Sequence, residues 1–202
     1  MKRKLCLVAI VALACIGALG ASRAEGVIYY VNQAAAPGGD GLSWSHAFQH
    51  LQDALASTGP GDEVWVAQGV YHPDYPGPFG RPDRDATFAL QIDVAIYGGF
   101  QSGDAWKDRD WVRKPTRLNG DLLENDREPN GSIEDNSLHV VSAINVQSTA
   151  VLDGFIVEAG YSGGVCPSHG AGMMISGWTW TEGPTVSNCL FRNNRTHLPG
   201  DR

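Results

Sequence analysis

The sequence predicts an all-β solenoid, a chain wound into stacked parallel strands, and two observations predict it. The first is a repeat: Leu152-Asp153-Gly154-Phe155-Ile156-Val157 is answered by Val186-Ser187-Asn188-Cys189-Leu190-Phe191, and Gly160 by Asn194. Both copies place apolar residues at positions one, four and six and a Gly or Asn three residues later, as short strands divided by turn-forming corners require. The second is that only one stretch has sustained helical spacing, which argues against a doubly wound α/β sheet.

From the start of the chain, Lys2-Arg3-Lys4, the uncharged run Leu5 to Leu19 and the small residues of Ser22-Arg23-Ala24 read as an export signal over residues 1–24. The run is shorter than the roughly 20 residues that span a bilayer. A lipoprotein signal ending at Cys15 would carry leucine where Ala12 stands. Residues 25–202 are then expected to form one domain, outside the cell or on its surface and without a membrane span. Removal of the signal leaves 11 basic against 22 acidic residues, so the net charge moves from −7 to −11. An acidic surface disfavours nucleic acid and anionic lipid.

Val27 to Val31 reads as the first strand, being β-branched and aromatic. Ser43 offers an N-cap, with Phe48, Leu51 and Leu55 at helical spacing until Gly59-Pro60-Gly61 stops the helix, whose expected role is to cover the open end of the coil. In Gly61 to Tyr71, Val64 and Val66 alternate with Glu63 and Trp65, so the valines are expected inward and Trp65 outward. Pro73, Pro76, Pro78 and Pro82 make 72–86 a loop. Strand-like runs resume at Thr87 to Leu90, Val94 to Tyr97, His139 to Ser142 and Val151-Leu152. The Asp-, Asn-, Gly- and Arg-rich stretch 98–136 reads as a long lateral loop holding one short strand at Thr116 to Leu118.

Read in order, Asp40-Gly41-Leu42-Ser43-Trp44, Leu51-Gln52-Asp53-Ala54-Leu55, Gly61 to Ala67, Tyr97-Gly98-Gly99-Phe100, Leu118-Asn119-Gly120-Asp121, Asp135 to Val141 and Leu152-Asp153-Gly154-Phe155 resemble the N-terminal part of secreted bacterial β-helix proteins of the pectin-lyase-like and polymorphic-outer-membrane-repeat kind. The resemblance covers about residues 27–196. It implies a right-handed parallel β-helix displayed outside the cell, and further Gly-rich rungs beyond Gly200-Asp201-Arg202. More distant relatives cleave acidic polysaccharide using Ca²⁺.

Candidate chemistry is sparse. Asp126, Glu128, Asn130 and Gly131 fall at the first, third, fifth and sixth positions of a calcium loop, with Asp135 nearby, but Pro129 interrupts and Ser137 stands where a bidentate Glu belongs. The stretch is therefore either a looser Ca²⁺ site or a solvated acidic turn. Asp104, Asp108, Arg109, Asp110 and Arg113 supply the residue types of a Ca²⁺-dependent lyase, or equally those of a surface ion-pair network. Trp178 and Trp180 share a face if their segment is extended, and either stack on sugar rings or pack beneath the Gly183-Pro184 turn. Cys166 and Cys189 either form a disulfide between neighbouring rungs or leave Cys189 as a small apolar filler. Asn193 and Asn194 are expected at a rung corner. The reading is a non-catalytic extracellular β-helix module contacting polysaccharide; the alternative is a Ca²⁺-dependent polysaccharide lyase.

Overall fold

The computed structural model describes residues 26–74, 82–163, 170–177 and 183–196. The proposed signal lies outside these residues, as do Cys166, Trp178 and Trp180. No helix among the described residues is long and apolar enough to cross a membrane.

The chain is a parallel β-solenoid. Its strands are β1 (Ile28–Val31), β2 (Glu63–Ala67), β3 (Gly69–Tyr71), β4 (Phe88–Ala89), β5 (Ala95–Phe100), β6 (Thr116–Asn119), β7 (Val141–Ile144), β8 (Val151–Asp153), β9 (Phe155–Glu158), β10 (Met173–Ser176), β11 (Thr185–Ser187) and β12 (Leu190–Arg192). They assemble into three sheets, ordered β1-β2-β5-β8-β11, β10-β7-β4 and β12-β9-β6-β3, and every pairing between them is parallel. The chain visits the sheets in a fixed rotation, so β2-β3-β4, β5-β6-β7 and β8-β9-β10 are successive rungs.

The internal repeat is the register. Leu152 pairs with Val186 and Asp153 with Ser187; Ile156 pairs with Leu190 and Val157 with Phe191. At the corner beyond, the Gly160 N–H donates to Asn194 Oδ1 at 2.9 Å, 34 residues along the chain. Alternate side chains point inward. Tyr29, Val64, Ile96, Leu152 and Val186 therefore form one column, and Tyr71, Leu118, Val157 and Phe191 a second. Val64, Ile96, Leu152, Tyr71, Leu118 and Val157 are buried in a single core. Each such side chain contributes about 1.5–3 kcal/mol on removal from water.

The capping helix is shorter than the spacing from Ser43 suggests. Ser43 precedes a 3₁₀ turn at Trp44–His46 and makes no side-chain cap bond, and the α-helix, α1, is only Leu51–Ser57. Phe48 is claimed by strand pairing instead: it bridges Val31, its N–H donating to the Tyr30 carbonyl (2.9 Å) and its carbonyl accepting from Asn32 (2.8 Å). α1 buries Leu51, Ala54 and Leu55 and packs on β1, β2 and β4 at the N-terminal end of the coil. Trp65 does point outward, yet is buried because an outer aromatic layer covers it. The lateral insertions, 101–115 and 120–140, both leave the rung built from β5, β6 and β7.

Column position predicts mutational cost. Leu152→Ala empties a fully buried layer and should lower stability by about 2–5 kcal/mol in urea titration. Val186→Ala, in the same column but half-exposed, should cost less than about 1 kcal/mol.

Candidate functional site

Two outer faces carry the polar and aromatic residues that the core does not use. On the first sheet, the outward column runs Tyr30, Trp65, Tyr97, Asp153, Ser187. Trp65 stacks on Phe100 with ring centres 4.7 Å apart and planes 4° from parallel. Segment 101–115 folds back over this face. Its turns are tied internally: Asp104 accepts from the Gln101 N–H (2.7 Å) and Lys114 Nζ (2.6 Å), and Lys114 also donates to the Asp108 carbonyl (2.5 Å). Asp110 accepts from the N–H groups of Val112 and Arg113, which holds its carboxyl below the usual range.

Arg109 reaches inward from this segment and pins it to two rungs. Nε donates to the Gly98 carbonyl (2.7 Å), and Nη2 to the Asp153 carbonyl (2.9 Å) and the Asp153 carboxylate. The guanidinium stands 5.3 Å from the Tyr97 ring, 5.3 Å from Trp106 and 5.0 Å from Trp111. Gly154 sits at φ +83°, a conformation that favours glycine, and a Cβ there would also crowd the Gly98 carbonyl oxygen at 3.0 Å and displace the Arg109 guanidinium. Asp153 also accepts from Ser187 Oγ and from Asn188 Nδ2 (2.9 Å) on the next rung. Burial works to raise its pKa, but the bonds from Ser187 and Arg109 outweigh that and hold it below the ordinary value. Trp106 and Trp111 complete the layer and remain 48% and 40% exposed, forming an aromatic shelf held by a buried ion pair.

The second face is a groove of about 500 Å³ on the outside of β3, β6, β9 and β12, walled by the 120–137 loop. Glu158, buried on its floor, is paired by Arg117 from the preceding rung and by Arg192 from the following one, the latter at 2.7 Å. Asp121 accepts from the N–H groups of Asn125 (3.0 Å) and Asp126 (3.1 Å), while Asn136 Nδ2 donates to Asp126 Oδ2 (3.0 Å). Burial pushes the Asp126 carboxyl up; the Asn136 bond opposes this, and repulsion from Asp121 and Asp135 adds to it. Arg84 ties the loop down through the carbonyls of Asn136 (2.7 Å) and Tyr161 (2.9 Å).

The sequence candidates are distributed as follows. Asp126 lines the groove, Asp135 accepts a long bond from Asn125 Nδ2 (3.4 Å), and Glu128 and Asn130 lie on the surface. No three His, Cys, Asp or Glu among the described residues form a metal-holding group. Asp104, Asp108 and Asp110 bond donors of the 101–115 loop and Arg109 pins that loop to the rungs, while Arg113 stays exposed with a 3.6 Å ion pair to Asp110. The half-buried Cys189 places Sγ 3.6 Å from the Leu152 carbonyl, and burial pushes its thiol up; Cys166 lies outside the described residues. Asn193 (φ +54°) and Asn194 form the expected corner, Asn194 also donating to the Val157 carbonyl at 2.9 Å. Trp106 and Trp111 escaped sequence reading. The available signal was their position on either side of Arg109, opposite an acidic residue that follows Tyr30, Trp65 and Tyr97 in one strand column.

No family model matches the chain, and neither does any curated protein or solved structure.

Breaking the Arg109–Asp153 pair should be costly. Arg109→Ala is expected to lower stability by about 3–5 kcal/mol, and Arg109→Lys to recover only part of it, because an ammonium lacks the planar fork that serves both rungs. The pH dependence has a definite sign. Asp153 ionises at lower pH folded than unfolded, so its contribution is full above the ordinary aspartate range and is lost as pH falls through the folded value. The gap between the denaturation midpoints of wild type and Arg109→Ala should therefore narrow as pH falls below about 4, the part due to the Gly98 and Asp153 carbonyl bonds remaining.

Proposed function

We propose that the chain is a non-catalytic, exported β-helix module of the bacterial cell-surface kind, related to the pectin-lyase-like and polymorphic-outer-membrane-repeat proteins, and that it contacts polysaccharide. The observation that carries this reading is the aromatic shelf. Trp106 is half-exposed against Trp65 and Phe100, and Trp111, also half-exposed, packs on the same Arg109 guanidinium. Flat rings with one face wet and one face packed suit the apolar faces of sugar rings, and their fixed position lowers the ordering cost of binding.

The non-catalytic part is supported by where the charges go. Arg109, the candidate base, is buried and committed to Gly98 and Asp153, and Asp104, Asp108 and Asp110 bond backbone or side-chain donors of their own loop. A general base needs a free lone pair beside the substrate's acidic C–H. The export signal over residues 1–24, the rung architecture and the acidic surface agree with life outside the cell.

Affinity electrophoresis through gels containing neutral glucans or polygalacturonate tests both parts. Wild type should be retarded by at least one polymer, and Trp111→Ala should weaken that retardation by about tenfold while still melting cooperatively above the assay temperature. Retardation by none of them, or a Trp111→Ala variant that binds unchanged, removes the shelf as the contact surface. Unsaturated uronate product accumulating with Ca²⁺ present replaces the module by a lyase.

A further inference from the structure

Buried polar atoms in folded chains nearly always find partners, and those that do not call for an explanation at their own site. Among the described residues, the buried side-chain atoms without a hydrogen-bond partner are His72 Nδ1 and Nε2, Asp126 Oδ1, Asn136 Oδ1, Ser137 Oγ and Ser162 Oγ, although His72 Nε2 lies 3.3 Å from the Glu124 carboxylate and is not an orphan in the electrostatic sense. His72, Asp126 and Asn136 line the groove, and Ser137 and Ser162 are the chain neighbours of lining residues Asn136 and Tyr161. The shortfall is confined to one place.

Its sign is also defined. Asn136 is 1% exposed, and its amide orientation is fixed, because exchanging Nδ2 and Oδ1 would set oxygen against the Asp126 carboxylate. Oδ1 is therefore an acceptor facing no donor, and Asp126 Oδ1 is a second one on the group bonded to it. Asp121, 8% exposed, lines the same groove with a carboxylate that accepts only backbone N–H groups from its own loop. The loop 120–137 carries six carboxylates against one arginine. Arg117, Arg127 and Arg195 also line the groove, Arg117 being taken by Glu158, so the sign is read from the orphan atoms themselves: two neighbouring oxygen acceptors without donors call for a cation.

We propose that Asp126 and Asn136, with Asp121 beside them, form a Ca²⁺ site at the wall of the groove. The donors are carboxylate and amide oxygens, with two acidic residues and one amide in place of three acidic or imidazole ligands. The set differs from a calcium loop read along the chain: Asp126 is shared, Glu128 and Asn130 take no part, and the second ligand arrives ten residues later through the fold. Bound Ca²⁺ offsets the Asp126 charge and cross-links Asp121 and Asp126, near the start of the 120–137 wall, to Asn136 near its end. The site does not depend on the polysaccharide reading, since its ligands lie on a different sheet face from the shelf.

The test uses the full chain and Ca²⁺ alone, by isothermal titration, thermal melts in Ca²⁺ against EDTA, and amide exchange. Wild type should bind Ca²⁺, melt higher with it, and show slowed exchange within 120–137. Asp126→Asn should weaken binding by about tenfold or more and lose the Ca²⁺-dependent shift, while melting no lower than wild type in EDTA, because it relieves the repulsion of a partly buried carboxylate by Asp121 and Asp135. Glu128→Gln should respond like wild type. Three results overturn the proposal: a wild-type melt and exchange pattern indifferent to Ca²⁺, protection that maps outside 120–137, or an Asp126→Asn variant that responds as wild type does. If Asp126→Asn does not fold, the wild-type exchange map decides alone.

Discussion

Parallel strands stacked in register place each residue directly beneath its counterpart on the next rung, so a side chain's neighbours along the coil are set by pairing and not by sequence proximity. Ile96 on Leu152 on Val186 is the inward result, and it sustains the core. The outward result is subject to the same constraint. Tyr97, Asp153 and Ser187 are stacked because Ile96, Leu152 and Val186 are, and a register slip by one residue would turn the apolar column out to solvent and the Asp153 column in. The ion pair that Asp153 makes with Arg109 thus depends on the hydrophobic stack behind it.

The lateral loops exploit that stack without contributing strands to it. Segment 101–115 has few apolar residues to bury and is held by a cation reaching two rungs at once, through the carbonyls of Gly98 and Asp153. The 120–137 wall is held by Arg84, which approaches from the loop before β4. In both cases one arginine fork replaces a missing patch of core. Such fastening is rigid but local, and it leaves the outer surface available: aromatic on the first sheet, polar and of mixed charge on the third.

What was legible in the sequence follows from the same division. The rung architecture could be read because Leu152 to Val157 and Val186 to Phe191 repeat the pattern that register demands, and because Gly160 and Asn194 mark the same corner. The end cap was half legible. Leu51 and Leu55 show the helix, but Phe48 matches helical spacing equally well, and only the proximity of Val31 draws it into a strand bridge. The site residues were least legible. Arg109 sits in an Asp/Arg cluster that reads as surface charge until Asp153, 44 residues away, is placed beneath it. Asn136 is an unremarkable polar residue until the fold sets it against Asp126.

The central claim is the inward column itself, and nuclear Overhauser contacts between methyl groups in solution report on it without altering a residue. The account predicts methyl contacts from Val64 to Ile96, from Ile96 to Leu152 and from Leu152 to Val186, with parallel cross-strand contacts along the same path. Leu152 methyls that touch neither Ile96 nor Val186, or cross-strand contacts of the antiparallel kind, would contradict it.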